Sequence, residues 1–384
     1  MNDDRLKVAV VPAWYPRDGQ PMHGIFVQDQ VRAVARTNDV VVIVDDGPRR
    51  ALRGGAVLQE SVERGIRTIR VEYPAGSKQL ATFGYIRGVL AALRGLRREG
   101  WRPDIVHAHI YYVGLVAQLA KLRYRAPVAV SEHSSHFLLG TLNKADRVRA
   151  WLAFSLADVV CPVSRVLQTA IQDLNVRARF EVVPNPIDLS VFRPTPLPTS
   201  KPPQALVVAG LDSVKGIPNL LAAVASLAAA GRDFQVNVVG DGPERAAYER
   251  LTCASGLAER VVFHGYQQRD AVAGFLRNAH FLVVPSRAET FGVVMLEALS
   301  AGRPVVATDV GVASEVLTEA SGMVVAPEDS HALARAIDHM LDNYAHYSPA
   351  ALAAPVASQF SYDAVAGRWE DVYRGAMSRP IRRT

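Results

Sequence analysis

The chain has 384 residues, of which 49% are hydrophobic and 21% charged, so it is long enough for two globular domains with separate cores. Its longest apolar runs, VVVIV at 40–44 and FLVVP at 281–285, are far shorter than the roughly 18 residues that span a bilayer, which argues against a transmembrane segment. Residues 1–190 carry 26 Lys and Arg against 18 Asp and Glu, a balance of +8, whereas residues 191–384 carry 17 against 19. The basic excess therefore belongs to the first half, where no nucleic-acid reader motif accompanies it.

Two features indicate the cellular setting. Cys161 and Cys253 lie far apart without metal-ligand spacing, and the first residues, MNDDRLKVAVV, do not resemble a secretory signal. We therefore expect a reducing, cytoplasmic environment.

In the first half, short β-branched runs alternate with segments of helical length, a pattern typical of buried parallel strands joined by helices. The runs are KVAVVPA (7–13), VVVIVDD (40–46), DIVHAH (104–109), PVAVSEH (127–133) and DVVCPVS (158–164). Residues 1–185 are therefore predicted to form a doubly wound α/β domain.

The segment GYIRGVLAALRGLRRE (84–99) is predicted to be a basic amphipathic helix, with Arg87, Arg94 and Arg98 on one stripe. The opposite side carries Ile86, Val89, Leu90, Leu93 and Leu96. Two interpretations remain open: an ordinary surface helix with a solvated arginine face, or a contact with an anionic membrane surface.

A second α/β series follows a proline-rich stretch. Seven prolines between 182 and 203 oppose regular structure, so residues 186–203 are predicted to be a linker. The strand-like runs beyond it are ALVVAG (205–210), FQVNVVG (234–240), RVVFHG (260–265), HFLVVPS (280–286) and RPVVAT (303–308). The second domain is predicted to span 204–359, and a helical segment with Trp369 and Tyr373 four apart follows at 360–384.

Ligands of doubly wound sheets bind outside the carboxyl ends of the strands, so two such domains facing each other would share a cleft. In PSRAETFGVVMLEALSAGRPVVAT (285–308), a strand is followed by a loop and a helix, with Thr290 as the expected N-cap and Gly302 as the expected stop. This places Glu289 at the predicted cleft and Glu297 about two turns into the helix.

The backbone N–H groups of Phe291, Gly292 and Val293 would lie between these two carboxylates and suit an anion such as phosphate. Carboxylates only accept hydrogen bonds, and sugar hydroxyls donate them in pairs. A sugar nucleotide satisfies all three positions if Glu297 holds the ribose and Glu289 the sugar to be transferred.

With ETFGVVMLE matching its E-x7-E signature, the chain resembles the family 4 glycosyltransferases of the two-Rossmann-domain fold known as GT-B. Further segments appear in the family's order: HGIFVQDQVRAVA, DIVHAH, VSEHSSHF, VVPNPID, LDSVKG, VVGDGPER and VVFHG. The resemblance implies transfer from a nucleotide-activated sugar with retention of anomeric configuration. It also implies that the last segment, 360–384, returns to the first domain.

Carried over onto matching positions, the resemblance assigns Glu289 to the sugar hydroxyls, Glu297 to the ribose and Lys215 to the diphosphate. Gly210 stands where many relatives have an arginine, so we expect the diphosphate to depend on Lys215, the helix N-terminus and Arg287. The chain contains no D-x-D triplet, and we expect neither a metal ion nor a cofactor.

In the first domain, the resemblance assigns His109 to the donor sugar, with His107 deeper on the same face. Glu132 and His133, which end the next strand, are candidates for the sugar or acceptor side. Gly24 matches a loop where the family's backbone approaches the donor phosphates. The alternatives are that a strand-end histidine bonds only to neighbouring backbone and that Gly24 is a simple turn residue.

The predicted reaction is a front-face displacement in which the departing diphosphate helps to deprotonate the acceptor hydroxyl, since no carboxylate presents itself as a nucleophile. The acceptor is expected to be a glycan or a lipid-linked saccharide, as in polysaccharide, glycolipid or other glycoconjugate synthesis. Two alternatives are a nucleotide-sugar epimerase of the same fold and a non-catalytic protein that binds sugar nucleotides.

Overall fold

The computed structural model describes residues 5–20, 22–49 and 55–378. The ends of the predicted first domain (1–4) and of the predicted C-terminal segment (379–384) lie outside the described residues. The elements of the first half are β1 Lys7–Pro12, α1 Ile25–Val34, β2 Asp39–Arg49, β3 Val57–Glu63, β4 Ile66–Pro74, α2 Lys78–Arg98, β5 Ile105–His109, α3 Tyr111–Tyr124, β6 Val128–Glu132, α4 Lys144–Leu156, β7 Val159–Pro162 and α5 Arg165–Gln172. Those of the second half are β8 Gln204–Val208, α6 Ile217–Ala229, β9 Gln235–Val239, α7 Arg245–Ala254, β10 Val261–Gly265, α8 Arg269–Asn278, β11 Phe281–Val284, α9 Val293–Ser300, β12 Val305–Thr308, α10 Ala313–Val316, β13 Gly322–Val325, α11 Ser330–Asn343, α12 Pro349–Phe360 and α13 Tyr362–Met377.

The chain divides into two compact units. Unit 1 comprises the residues up to Pro186 together with those from Tyr362 onward, and unit 2 is Ile187–Ser361. Each unit contains one sheet with helices packed against it, so the predicted α/β class with two doubly wound, Rossmann-like sheets is confirmed.

Unit 1 is built on a seven-stranded sheet in the order β3-β4-β2-β1-β5-β6-β7. All of these strands except β3 pair in parallel, and β5 and β6 are buried along their whole length. Because β1 lies between β2 and β5, the strand order reverses there, and the carboxyl ends of β5 and β6 lie side by side.

The hairpin of β3 and β4 is absent from the strands predicted above. It pairs antiparallel around Arg64 and Gly65, both at positive φ, so it closes with the two-residue turn typical of hairpins. The β-branched residues in VLQESVE and IRTIRVE were the available signal, but the polar and charged residues between them hid it among the buried, wholly apolar strands.

Unit 1 is completed by α13, which packs against α1. Trp369 is fully buried, and its Nε1–H donates to Oε1 of Gln30 over 2.6 Å. The Tyr362 hydroxyl donates to Oδ1 of Asp29 over 2.6 Å. The helix thus contributes both core volume and polar partners to the unit in which the chain begins.

Unit 2 contains a six-stranded parallel sheet in the order β10-β9-β8-β11-β12-β13. The edge strand β13 is the one that our prediction missed, because GMVV is only four residues long and has no alternation. β8 and β11 are neighbours at the reversal of strand order, so the loops that follow them meet.

The proline-rich stretch predicted as a linker packs for most of its length into unit 2. Phe192 is fully buried, and the buried Arg303 guanidinium donates to the carbonyl and hydroxyl oxygens of Thr195 at 2.8 Å each and to the Pro196 carbonyl at 2.9 Å. Burial lowers the pKa of Arg303 to about 10. Prolines prevent a regular helix or strand here, but their carbonyls still accept bonds from this arginine.

Among the described residues, no helix has both the length and the apolar character needed to cross a membrane.

Candidate active site

In unit 2, two loops that follow β8 and β11 bring a lysine and a glutamate together. The Nζ atom of Lys215 lies 2.7 Å from Oε1 of Glu289, and the Ser286 hydroxyl donates to the same oxygen over 2.9 Å. The lysine and glutamate side chains are 21% and 16% exposed, so both remain accessible to a ligand. Among the described residues, both of these bonds end at Oε1, which leaves Oε2 of Glu289 with capacity to accept from a ligand.

The backbone holds these loops in register. The Arg287 N–H donates to the Val214 carbonyl over 2.7 Å. Gly216 has φ 65°, and a Cβ there would collide with the Pro285 carbonyl, so only glycine permits this approach. The V-K-G turn is therefore fixed against the end of β11, and Lys215 is carried to Glu289 by main-chain geometry.

The helix after this loop begins later than predicted. Gly292, at φ 85°, is the N-cap of α9, and no side chain caps the helix, so the predicted N-cap Thr290 is wrong. The loop ends with a residue in the left-handed backbone conformation, which glycine adopts most readily. This backbone requirement decides where the helix begins and outweighs the preference for threonine at an N-cap. The Met295 N–H donates to the Gly292 carbonyl over 3.0 Å, so the helix amides without an intrahelical acceptor are those of Val293 and Val294. They begin two residues after Phe291, where the predicted anion site begins. Gly302 ends the helix as predicted, at φ 79°.

Glu297 lies within α9 with a side chain that is 13% exposed. Nη2 of Arg269, from the first turn of α8, lies 3.7 Å from its Oε1, and the guanidinium carbon lies 5.3 Å from the centre of the Phe192 ring. Our sequence reasoning missed Arg269, because a position 28 residues away in the chain gives no spacing signal for this contact.

Arg287, the cation expected to assist Lys215, and Gly210, which stands where many relatives have an arginine, differ in their surroundings. Arg287 forms an ion pair with Glu328, 3.1 Å from Nε to Oε1, and both side chains are more than half exposed. Gly210 is exposed, and no atom lies within 4 Å of a Cβ built on it. The glycine is thus not required by packing.

In unit 1, the strand-end histidines of β5 and the loop after β6 form a cluster. His107 is fully buried with both ring nitrogens engaged: Nδ1 lies 2.7 Å from the Tyr373 hydroxyl and Nε2 lies 2.8 Å from the Ser131 hydroxyl. Nδ1 of His109 lies 3.1 Å from Nε2 of His133. Burial lowers the pKa of His107 and of His133 to about 3 and that of His109 well below its usual value, so the three rings are neutral at pH 7.

Glu132 stabilises the turn that carries His133. Its Oε1 accepts from the N–H groups of His133 and Ser134 at 2.9 and 2.8 Å, and its Oε2 accepts from the Tyr111 N–H at 3.0 Å. Burial raises the pKa of Glu132 to about 7, against the lowering effect of these donors. Both oxygens are thus occupied by backbone, and a role for Glu132 toward the sugar or acceptor gains no support from its contacts.

Gly24 is the N-cap of α1 at φ 71°. A Cβ on it would collide with the backbone carbonyl of Trp14 and would lie 2.7 Å from the Tyr15 nitrogen. Packing within unit 1 therefore explains this glycine, as the alternative interpretation of a turn residue allows, and its contact with donor phosphates stays a prediction.

Comparison with known families gives one match in each unit. Residues 23–186 match the family model described as a glycosyl transferase 4-like domain, and residues 191–353 match the one described as glycosyl transferases group 1. Together the two matches cover nearly all of the chain between 23 and 353, one in each unit. The chain belongs to this family of glycosyltransferases, as its motifs predict.

Individual relatives show the same relationship. The chain is 28% identical to the 2-deoxystreptamine glucosyltransferase of Streptomyces kanamyceticus, over 64% of this chain and 70% of that one. It is also 28% identical to the D-inositol 3-phosphate glycosyltransferase of Xylanimonas cellulosilytica, over 92% of both chains. The crystal structure of Anabaena HepE in complex with UDP-glucose matches with a TM-score of 0.75 at 18% identity, covering 97% of this chain and 100% of that one, which shows a shared fold.

Proposed function

We propose that this glycosyltransferase moves a sugar from a nucleotide-diphosphate sugar to a hydroxyl acceptor with retention of configuration and without a metal ion. The observation that carries this proposal is the contact of Lys215 with Glu289 beside the start of α9. It joins, in one place, a cation for a diphosphate, a carboxylate for sugar hydroxyls and free helix amides.

The pairing of opposite charges suits the junction between sugar and diphosphate. A phosphate oxygen can share Lys215 with Oε1 of Glu289, while Oε2 accepts from a sugar hydroxyl. The amides at the start of α9 add partial positive charge for the second phosphate. Glu297, on the same helix, is assigned to the ribose, and Arg269 lies beside it as a further cation.

Two elements of the chemistry follow from this charge distribution. Lys215 and the helix amides stabilise the negative charge that develops on the departing diphosphate, which is the task of a metal ion in other enzymes. The departing phosphate oxygen then takes the proton of the acceptor hydroxyl on the face from which it leaves, so the configuration at the sugar carbon is retained.

Two rival functions use the same donor site. An epimerase would convert the nucleotide sugar in the absence of an acceptor, whereas a binding protein would neither transfer nor hydrolyse it. Product analysis with donor alone, followed by a screen of soluble and lipid-linked acceptors, separates these functions. The acceptor class that we propose is a glycan or lipid-linked saccharide, and the cytoplasmic location stays a prediction.

We extend the proposal to peripheral contact with an anionic lipid surface, supported by the +8 balance of residues 1–190. Such contact requires basic side chains and apolar side chains that both face solvent. Arg87, Arg94 and Arg98 of α2 are exposed, but Val89 and Leu93 of the same helix are buried. Two apolar side chains in the first turns of α2, Leu80 and Phe83, face solvent, and a larger group does so on α4: Val148, Trp151, Leu152 and Leu156 are between 37% and 58% exposed.

This exposed face of α4 has basic residues beside it. Lys144 and Arg147 are exposed on the same helix. An apolar face with an exposed tryptophan and flanking cations is the composition of helices that lie in an anionic lipid interface. We therefore assign the lipid contact to α4, with the α2 arginines adding charge.

The donor site is tested by the variants Glu289→Ala and Glu297→Ala. Each removes a charged hydrogen bond worth about 1.5 to 3 kcal/mol, so we expect the transfer rate to fall roughly ten- to a hundredfold in each. Glu319→Ala, an exposed glutamate of the same unit, is the matched control. Near-wild-type turnover in both site variants would refute the assignment.

A further inference from the structure

His109 and His133 form a buried pair in unit 1. Their rings stack at 5.3 Å between centroids with 19° between planes, and they are 0% and 6% exposed. Beyond their mutual contact at 3.1 Å, Nε2 of His109 and Nδ1 of His133 are buried without a hydrogen-bond partner among the described residues. An unpaired buried polar nitrogen is costly, which indicates that a ligand or water satisfies each one when the site is in use.

The contact between two neutral imidazoles fixes their tautomers together. If Nδ1 of His109 donates, its Nε2 is bare, and His133 carries its proton on Nδ1. If Nε2 of His133 donates instead, His133 Nδ1 is bare, and His109 carries its proton on Nε2. In both cases the two rings are the same tautomer, and the two outer nitrogens have opposite roles, one donor and one acceptor.

We propose that His133 is a positioning residue that fixes the tautomer of His109, so that Nε2 of His109 meets a sugar hydroxyl with one defined hydrogen-bonding role. A hydroxyl can donate or accept, so the role of Nε2 decides the orientation of the hydroxyl proton. The inference rests on the proposed function, because the donor sugar is the ligand assigned to His109.

The surroundings of His109 and His133 support this positioning role. His107, the next ring in the stack at 4.2 Å from His109, has both nitrogens engaged and is unable to exchange protons with the pair without losing a bond. The His133 ring also packs on Phe26 at 4.9 Å, and the three bonds of Glu132 fix the turn that carries it. Position and orientation of the pair are thus defined, and the hydrogen bond between the rings ties the protonation of Nε2 of His109 to the tautomer of His133.

The variant that isolates the effect is His133→Phe, which keeps an aromatic ring against Phe26 and removes the nitrogen facing His109. We expect kcat for transfer to fall about tenfold or more, with KM for the donor changed less than threefold, since the loss concerns the role of one hydrogen bond. His136→Phe is the matched control, because this histidine of the same turn is exposed and its ring lies in hydrogen-bonding contact with the Thr141 hydroxyl, away from His109. A fall in kcat together with a large rise in KM and a collapse of the melting temperature would mean that His133 is merely structural.

A second readout does not need activity. In protein with 15N-labelled histidine, the ring-nitrogen NMR shifts of His109 and His133 are expected to show the same neutral tautomer at pH 7, and His133→Phe is expected to change the shifts of His109. Opposite tautomers, or a cationic ring in the pair, would overturn the inference. Absence of transfer in the wild type would instead refute the proposed function, and the NMR result would still decide the coupling.

Discussion

At the level of single residues, the proposed donor site combines side chains that the motifs identify with a geometry that they do not. Lys215 and Glu289 are both predicted from the sequence, but their direct contact depends on the approach of the Gly216 turn to Pro285. Spacing along the chain does not reveal a contact between two side chains that are 74 positions apart. For the same reason Arg269 beside Glu297 was not predicted.

Gly210 offers a test by gain of function. Because no atom lies within 4 Å of its Cβ position and the residue is exposed, we expect Gly210→Arg to fold normally. An added charged bond to the diphosphate would tighten donor binding by roughly tenfold or more, measured by calorimetry. Gly242→Arg is the contrasting variant, since its Cβ would overlap the Leu211 backbone, and we expect it to be strongly destabilised. Unchanged donor affinity in a well-folded Gly210→Arg would show that the diphosphate does not pass this position.

The buried histidines predict how stability depends on pH. The folded-state pKa values of His107 and His133 are lowered to about 3, whereas the unfolded values are near 6.5, so below pH 6.5 the unfolded state binds more protons. The free energy of unfolding is therefore expected to fall between pH 7 and pH 5, by on the order of 2 kcal/mol for each histidine. Glu132, whose folded-state pKa is raised to about 7, binds its proton in the folded state over this range and offsets about one histidine.

Urea unfolding followed by tryptophan fluorescence measures this in unit 1 alone, because all four tryptophans, at positions 14, 101, 151 and 369, belong to that unit. His133→Phe is expected to reduce the pH dependence. A midpoint that does not change from pH 7 to pH 5 would contradict the assignment of buried, neutral rings.

At the level of elements, the sequence predicts the strands that are buried and apolar. It does not predict strands that have a polar face or that are very short. The central strands β1, β5 and β11 agree with their β-branched runs because both faces of a parallel sheet are covered. The β3–β4 hairpin and β13 lack such runs. The predicted start of α9 was wrong because the loop requires a left-handed backbone conformation at Gly292, and this requirement, rather than the capping preference of threonine, sets the first residue of the helix.

The exposed face of α4 gives the element-level prediction for lipid binding. We expect co-sedimentation with anionic vesicles at low salt that weakens as salt rises, since screening shortens the reach of surface charge. Replacing Trp151 and Leu152 by serine is expected to reduce binding severely. Converting Arg87, Arg94 and Arg98 to glutamine is expected to reduce it by about 1 kcal/mol per charge near the surface.

The matched control for the α4 variant is Val62→Ser, an exposed apolar residue on β3. If the protein does not bind vesicles at low salt, or if the α4 variant binds like the wild type, the lipid contact is refuted. The acceptor is then a soluble glycan or small molecule.

At the level of the whole molecule, the division into two units was largely predictable, and the boundaries were not. The α/β alternation on either side of a proline-rich stretch indicates two Rossmann-like sheets, and the two family matches fall one in each unit. Residues 187–203 nevertheless pack with unit 2, because Arg303 collects carbonyls from that stretch. Tertiary hydrogen bonds of this kind leave no mark in local composition.

The central claim is transfer of a sugar with retention of configuration, at a site where Lys215 and the α9 amides take the place of a metal ion. It is tested most directly by following the reaction of an α-linked nucleotide sugar and its acceptor by proton NMR in the presence of EDTA. We predict an α-linked product at a rate unaffected by the chelator, and no conversion of the sugar when the acceptor is omitted. A β-linked product, an epimerised nucleotide sugar, or activity that returns only when Mg²⁺ or Mn²⁺ is added would contradict the account.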